Sequence, residues 1–136
     1  MDKQIGGDHY KKLNPQPIEI IVNWELKFIM GNVIKYIARY KFKNGIEDLR
    51  KAIQYLDFEK QAIEIKDGFY RPQFWDDPDN YDAPAYYFPA MWTQDVKSWE
   101  LSKNIMKALN CIQKNDLEAA VSYINREISL IKESIL

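Results

Sequence analysis

Apolar residues recur at every third or fourth position through most of the chain, and this spacing constrains the fold more than any other sequence feature. It is seen between residues 18 and 40 and again between 46 and 63. Two further runs of the same kind follow residue 94. Such spacing is typical of amphipathic α-helices, whereas a half-buried strand alternates apolar and polar residues. The sequence therefore predicts an all-α fold.

Turn residues divide the helical runs into two pairs. Asn44-Gly45 is a helix stop that tolerates a left-handed backbone, and Lys114-Asn115-Asp116 separates the last two runs. We therefore expect one domain over 1–136, with a basic helical hairpin at 1–66 and a second helical hairpin at 94–136. Between them, 67–93 carries four prolines and nine aromatic residues. Disordered segments are poor in aromatics, so this aromatic, proline-rich loop is expected to pack on the helices or on a partner chain.

A weak internal repeat relates the two halves. Trp24-Glu25-Leu26 recurs 75 residues later as Trp99-Glu100-Leu101. A second series recurs at an offset of 68, namely Asp48, Leu49, Ala52, Tyr55 and Glu59 as Asp116, Leu117, Ala120, Tyr123 and Glu127. Either the halves are a degenerate duplication, or two amphipathic hairpins share these letters by coincidence. The difference in offset leaves about seven residues of the first half, around 38–45, without a counterpart.

Composition excludes several classes of protein. One cysteine and one histidine are too few for a disulfide framework or a zinc cluster. No apolar run approaches the ~20 residues needed to span a bilayer, and residues 1–10 do not resemble a secretory signal. We therefore expect a cytoplasmic protein. With 19 basic and 20 acidic side chains, the chain lacks the positive field of a duplex-binding protein, and no sequence-specific DNA binding is predicted.

The most basic stretch, 35–43, is the candidate binding site. On a helix Asn32, Lys35 and Arg39 share one face, predicted to lie opposite the apolar stripe, with Lys43 one turn further if the helix continues. Arginine offers a fork of donors, lysine a point charge and asparagine an orienting amide, which together suit a phosphate. The alternative is that these cations only complement the helix dipole. His9, beside Gly6-Gly7, could close over a bound anion.

Carboxylates are sparse where phosphate chemistry would need them. The predicted first helix offers only Glu19 and Glu25 before its basic end, and a Mg²⁺-dependent enzyme needs several convergent carboxylates. This arrangement argues against an all-α nucleotide pyrophosphohydrolase, and no metal site is predicted. The chain also lacks the glycine-rich P-loop pattern that cradles phosphates in most nucleotide kinases.

Four segments of the first 65 residues resemble a bacteriophage family of small proteins long considered of unknown function. They read Gly-Gly-Asp-His-Tyr at 6–10, Gln-Pro-Ile-Glu at 16–19, Gly-Asn-Val-Ile-Lys-Tyr-Ile-Ala-Arg-Tyr-Lys at 31–41, and Lys-Asn-Gly-Ile-Glu-Asp-Leu-Arg-Lys-Ala-Ile-Gln-Tyr-Leu at 43–56. One branch of that family is a phage nucleotide kinase without a P-loop. The resemblance implies a phage origin, the cytoplasm of the infected host, a helical homo-oligomer and a nucleotide-type ligand. The motif positions that it marks as ligand-binding are His9, Tyr10, Asn32, Lys35, Tyr36, Arg39, Lys43, Asp48, Lys51 and Tyr55.

Three functions are compatible with these features. The one that we favour is a nucleotide-binding protein that sequesters a phosphorylated, nucleotide-derived immune signal of the host, without turnover, cofactor or catalytic residue. The first alternative is a nucleoside monophosphate kinase using ATP and Mg²⁺, in which Lys35, Arg39 and Lys43 hold phosphates and Asp48 or His9 supplies chemistry. The second alternative is a protein–protein interaction module that uses the aromatic loop.

Overall fold

The computed structural model describes residues 13–67 and 88–135, and every regular element within these ranges is helical. The six α-helices are α1 (Pro17–Asn23), α2 (Phe28–Arg39), α3 (Ile46–Asp67), α4 (Trp92–Asp95), α5 (Lys103–Gln113) and α6 (Leu117–Ile135), with a 3₁₀ turn at Lys97–Trp99 between α4 and α5. Helices α2 and α3 pack together as one hairpin and α5 and α6 as the other, and α3 packs on α6. The all-α prediction and the two hairpins are confirmed. No helix in the described ranges is long and apolar enough to cross a membrane.

A single hydrophobic core runs through both hairpins. Its fully buried side chains include Ile37 and Leu56 from the first hairpin and Leu109 and Ile124 from the second. Burying a side chain of this size contributes roughly 1.5–3 kcal/mol, so the apolar stripes read from the sequence hold the two hairpins together. The side chains that meet in this core are the apolar residues that recur at every third or fourth position of the sequence.

The predicted aromatic loop contributes to this core at its carboxyl end. Phe88 and Trp92 are both buried, and the Phe88 ring centroid lies 4.5 Å from that of Trp24 and 6.3 Å from that of Trp92. Trp92 also begins α4, so the helical part of the second half starts slightly earlier than predicted. Residues 68–87, which make up most of the predicted loop, lie outside the described residues.

The Trp-Glu-Leu repeat corresponds to a repeated backbone conformation. Glu25 and Glu100 both have a left-handed backbone, with φ of 53° and 52°. Because of this, the first apolar run is not one helix. Helix α1 ends at Asn23, with Trp24 as its cap and the left-handed Glu25 after it, and α2 begins separately at Phe28. In the second half the same conformation follows the 3₁₀ turn, so α5 begins only at Lys103, after the predicted start near 94.

The two repeated tryptophans, Trp24 and Trp99, connect the two halves of the chain. Each indole is buried, and each N–H donates a hydrogen bond to the opposite half. Trp24 donates to the Asp95 carboxylate at 2.8 Å, and Trp99 donates to the Pro15 carbonyl at 2.7 Å. The repeat therefore relates parts of one folded unit, in which each half completes the hydrogen bonding of the other.

The two halves also correspond in structure at positions where their residues differ. At the offset of 75, α1 corresponds to 92–98, which contains α4 and most of the 3₁₀ turn. In the first half α1 approaches α2 closely at Gly31, where an added Cβ would lie 3.4 Å from Ile21 Cγ2. Met106 occupies the corresponding position in the second half, and it lines an open groove of about 330 Å³ together with Val96 and Leu101.

The seven residues without a counterpart are distributed around the turn of the first hairpin. Helix α2 has 12 residues and α5 has 11, and the connection at 40–45 is longer than that at 114–116. In addition, α3 begins two residues before Asp48, whereas α6 begins one residue after Asp116. The first hairpin is therefore longer at its turn end, where the basic stretch lies.

Candidate functional site

A buried ion pair closes the turn end of the first hairpin. Arg39, the last residue of α2, is 9% exposed, and Asp48, in the first turn of α3, is fully buried. Arg39 Nε donates to Asp48 Oδ1 at 3.0 Å, and the Asn44 backbone N–H donates to Asp48 Oδ2 at 3.0 Å. A buried carboxylate requires such partners, because desolvation of the charge is costly. The pair thus joins α2, the turn and α3.

This pair corrects the predicted position of Arg39. The sequence placed Arg39 on the outer face of its helix, opposite the apolar stripe, but the side chain lies inward. The reason is tertiary, since Asp48 is fixed at the start of the neighbouring helix within reach of the guanidinium. Lys43 is also displaced from its predicted place, because α2 ends at Arg39 and leaves Lys43 exposed in the connection.

Three cationic side chains surround the ring of Tyr36, which is half-buried. The distances to the ring centroid are 4.5 Å from Lys35 Nζ, 4.8 Å from Arg39 Cζ and 5.4 Å from Lys51 Nζ. Each cation–π contact at an exposed site contributes about 0.5–1 kcal/mol. The positive charges come from both helices of the hairpin, so packing of α2 on α3 assembles them.

Tyr36 also stacks on Tyr55 of α3. The two ring centroids are 5.9 Å apart and the planes are inclined by 22°. We call Lys35, Tyr36, Arg39, Lys51 and Tyr55 the cation–tyrosine cluster. All five belong to the set predicted from the sequence, and the structure brings them together on one side of the first hairpin.

Two further aromatic residues, which the sequence analysis missed, continue this surface along the hairpin. Phe28 and Phe58 each contact Tyr55, with ring centroids 6.2 Å and 5.6 Å away and planes inclined by 76° and 86°. Phe28 is 76% exposed and Phe58 is 38% exposed. We call these two residues the aromatic edge. Helical spacing from Tyr55 to Phe58 was the available signal, but the contact of Phe28 with Tyr55 depends on how α2 packs on α3.

Four other predicted site residues, which are not members of the cation–tyrosine cluster, are Asn32, Asp48, His9 and Tyr10. The Asn32 side-chain amide donates to the Phe28 carbonyl at 2.8 Å, one turn back along α2. Asp48 supports Arg39 from below the surface, and its two carboxylate oxygens accept hydrogen bonds from Arg39 and Asn44. His9 and Tyr10 lie outside the described residues.

Acidic side chains near the cluster do not converge on a common point. Lys51 Nζ lies 3.6 Å from Glu47 Oε1 in an exposed pair on α3, and the Asp48 carboxylate is directed to Arg39. Over 13–67 and 88–135, no group of three or more histidine, cysteine or acidic residues could hold a metal ion. The site is therefore dominated by cations and aromatic rings.

On the other side of the α2 terminus, Tyr40 contacts the second hairpin. Its hydroxyl lies 3.5 Å from Glu127 Oε2, at the limit of a hydrogen bond. Burial raises the pKa of Tyr40, and the negative charge of Glu127 acts in the same direction. The Lys41 ammonium donates to the Glu100 carbonyl nearby. These contacts hold the end of α2 against the second half and leave the cation–tyrosine cluster on the first.

One family model matches the segment of the chain that contains most of this site. Residues 6–57 match the model of DUF3310, a protein of unknown function. The matched segment contains all ten predicted site residues, the whole of α1 and α2 and the first half of α3. Phe58 lies just beyond it, and the second hairpin lies entirely outside. No curated protein and no solved structure matches the chain.

Proposed function

We propose that the cation–tyrosine cluster binds the phosphate of a nucleotide-type ligand and that the protein sequesters this ligand without turnover. The observation that carries the proposal is the presence of three cations within 5.4 Å of one half-buried tyrosine ring. A phosphate placed there would accept charge-assisted hydrogen bonds, each contributing about 1.5–3 kcal/mol.

The distribution of partners favours the two lysines as the ligand-facing cations. Arg39 is directed to Asp48, whereas Lys35 forms no ion pair with any residue that the structure describes. The pair of Lys51 with Glu47 is exposed and 3.6 Å long, and an exposed pair of this kind contributes little. A phosphate could therefore replace Glu47 as the partner of Lys51 at small cost.

The preference for capture over turnover comes from Asp48. A nucleoside monophosphate kinase transfers a phosphoryl group to a phosphate oxygen and needs carboxylates that hold Mg²⁺ at the site, whereas Asp48 is fully buried and its carboxylate accepts from Arg39 and Asn44. The resemblance of the first 65 residues to a phage family supports the biological part of the proposal, in which a phage protein captures a nucleotide immune signal in the host cytoplasm. Homo-oligomerisation belongs to the same proposal.

The test is retention of ligand from a mixed pool. The purified protein is incubated with nucleoside monophosphates, ATP-Mg²⁺, cyclic nucleotides and cyclic ADP-ribose isomers, then washed and heated, and both fractions are identified by mass spectrometry. We expect one ligand to be retained and released intact, and retention to persist in EDTA. Conversion of a monophosphate to its diphosphate would instead establish the kinase of the resembling branch.

Variants locate the site once a ligand is retained. Lys35→Ala and Lys51→Ala should each weaken binding about tenfold, since each removes one charge-assisted bond. Lys107→Ala is the matched control, because Lys107 Nζ lies 5.6 Å from the ring of Tyr123 in the second hairpin. Equal losses in Lys35→Ala and Lys107→Ala would remove the proposed site. Arg39→Ala is a poorer test, since it also breaks the buried pair with Asp48.

A further inference from the structure

Among the residues that the structure describes, the aromatic edge is the most exposed large apolar surface beside the candidate site. Phe28 is three-quarters exposed although it lies at the start of α2 and contacts the half-buried Tyr55. An exposed phenylalanine gains little from folding, and clustered exposed apolar surface typically marks a binding site. Phe58 lies against the same tyrosine, and both phenylalanine rings stand nearly at right angles to it.

The second hairpin shows that the scaffold does not need these aromatic residues. At the offset of 75, Phe28 corresponds to Lys103 and Tyr36 to Cys111, and at the offset of 68, Phe58 corresponds to Arg126. The second hairpin nevertheless packs in the same way, with Lys103 and Arg126 exposed. The aromatic edge is therefore an addition to the surface of the first hairpin and has no role in closing its core.

The aromatic edge is continuous with the cations. Tyr55 contacts the edge and also stacks on Tyr36, which is surrounded by Lys35, Arg39 and Lys51. A ligand that crosses this surface meets positive charge near Tyr36 and bare aromatic rings near Phe28. A nucleotide has that order of groups, because its phosphate and its planar base lie at opposite ends of a sugar.

We infer that Phe28 and Phe58 form a base-binding subsite, so that the ligand is an aromatic-base nucleotide with its phosphate at Lys35 and Lys51 and its base against the aromatic edge. This inference rests on the proposed function, because the cations supply the phosphate end. Aromatic rings that stack bases are tolerant of base identity, and the subsite therefore selects for the presence of a base.

The experiment compares ligands that differ in the base. Binding of AMP, ADP-ribose and ribose 5-phosphate is measured by calorimetry with the wild-type chain, Phe28→Ala, Phe28→Trp and Phe58→Ala. In the wild type, AMP or ADP-ribose should bind about tenfold more tightly than ribose 5-phosphate. Phe28→Ala should abolish that advantage and leave the affinity for ribose 5-phosphate unchanged, whereas Phe28→Trp should preserve the advantage. Leu130→Ala, at an exposed position in α6, is the matched control.

The other outcomes overturn the inference in distinguishable ways. If the wild type binds ribose 5-phosphate as tightly as both base-containing ligands, anion capture stands and the base subsite fails. If Phe28→Ala weakens all three ligands equally, Phe28 only supports the cation–tyrosine cluster. If binding is unchanged but the mass in light scattering falls, the aromatic edge is a contact between copies of the chain. If none of the three ligands binds, the phosphate site fails with it.

Discussion

Tyr55 in α3 and Tyr123 in α6 occupy corresponding positions in the two hairpins, but their neighbours differ. Tyr55 stacks on Tyr36 and contacts Phe28 and Phe58. Tyr123 instead has two cations near its ring, Lys107 Nζ at 5.6 Å and Arg126 Cζ at 5.0 Å. Both helices bury similar apolar residues at corresponding positions, namely Leu49, Ala52 and Leu56 in α3 and Leu117, Ala120 and Ile124 in α6.

This comparison separates what packing requires from what the surface adds. The buried positions are similar because both helices must fit the same kind of partner helix and each other. The exposed positions differ: among the residues that the structure describes, the first hairpin carries a continuous aromatic surface beside clustered cations and the second does not. The two hairpins therefore share the packing that the core requires and differ in the side chains that they expose.

The turns differ in the same direction. Lys114 and Asp116 stand at the positions of Arg39 and Asp48, but both are exposed. Asp116 Oδ1 accepts from the Ala119 backbone N–H at 3.1 Å and so caps α6. After the longer turn of the first hairpin, Asp48 lies in the first turn of α3 and pairs with Arg39. After the shorter turn of the second hairpin, Asp116 lies immediately before α6 and caps it.

The largest predicted difference between the two hairpins is the effect on stability of replacing Asp48 or Asp116 with alanine. Asp48→Ala should lower the free energy of unfolding by about 3–5 kcal/mol, because it leaves the buried Arg39 guanidinium without its carboxylate. Asp116→Ala should cost only about 1 kcal/mol, the usual effect of losing a helix cap. Urea denaturation of the two variants measures both values. Equal losses would mean that the turns are energetically equivalent.

Replacing either of the two left-handed glutamates should change stability by a similar amount, since Glu25 and Glu100 have the same backbone conformation. Glu25→Gly and Glu100→Gly should each raise the free energy of unfolding by up to about 1 kcal/mol, because glycine adopts a positive φ without the steric cost of a Cβ. Both side chains are exposed, so little packing is lost. Thermal unfolding is the measurement, and destabilisation by either variant would show that its side chain contributes a contact that offsets the strain.

Tyr40 tests the contact between the halves through its dependence on pH. Its pKa is raised above the ordinary 10.0 by burial and by Glu127, so the folded state favours the neutral hydroxyl. The stability contributed by this preference is present below about pH 10 and is lost as pH rises through the raised pKa. Tyr40→Phe should therefore lose less stability than the wild type over that interval, as measured by urea denaturation.

The outcome for Tyr40 can be checked directly by spectroscopy. Ultraviolet absorbance of tyrosinate should show one group that ionises above the ordinary tyrosine pKa of 10.0 in the wild type and is absent from Tyr40→Phe. An identical alkaline titration in both proteins would contradict the assignment. Because Tyr40 and Glu127 come from different hairpins, the result also reports whether the halves remain packed at high pH.

The sequence by itself predicted the all-α fold and the pairing of the long helices into two hairpins, and it nominated most of the residues of the candidate site. Apolar spacing and turn residues such as Gly45 and Asn115 act locally, so they can be read along the chain. The family resemblance of residues 5–65 marked Tyr36, Lys51 and Tyr55 as candidate ligand-binding positions, which periodicity alone would have left as ordinary helix positions.

Only the tertiary structure decided which of those residues meet. The inward position of Arg39, the contact of Phe28 with Tyr55, and the hydrogen bonds of Trp24 and Trp99 to opposite halves all depend on the rotation and register of one helix against another. Helical periodicity specifies a face but not what lies opposite that face. The physical reason is that register is set by packing of the whole core, whereas the spacing of residues along one helix is set by its own backbone.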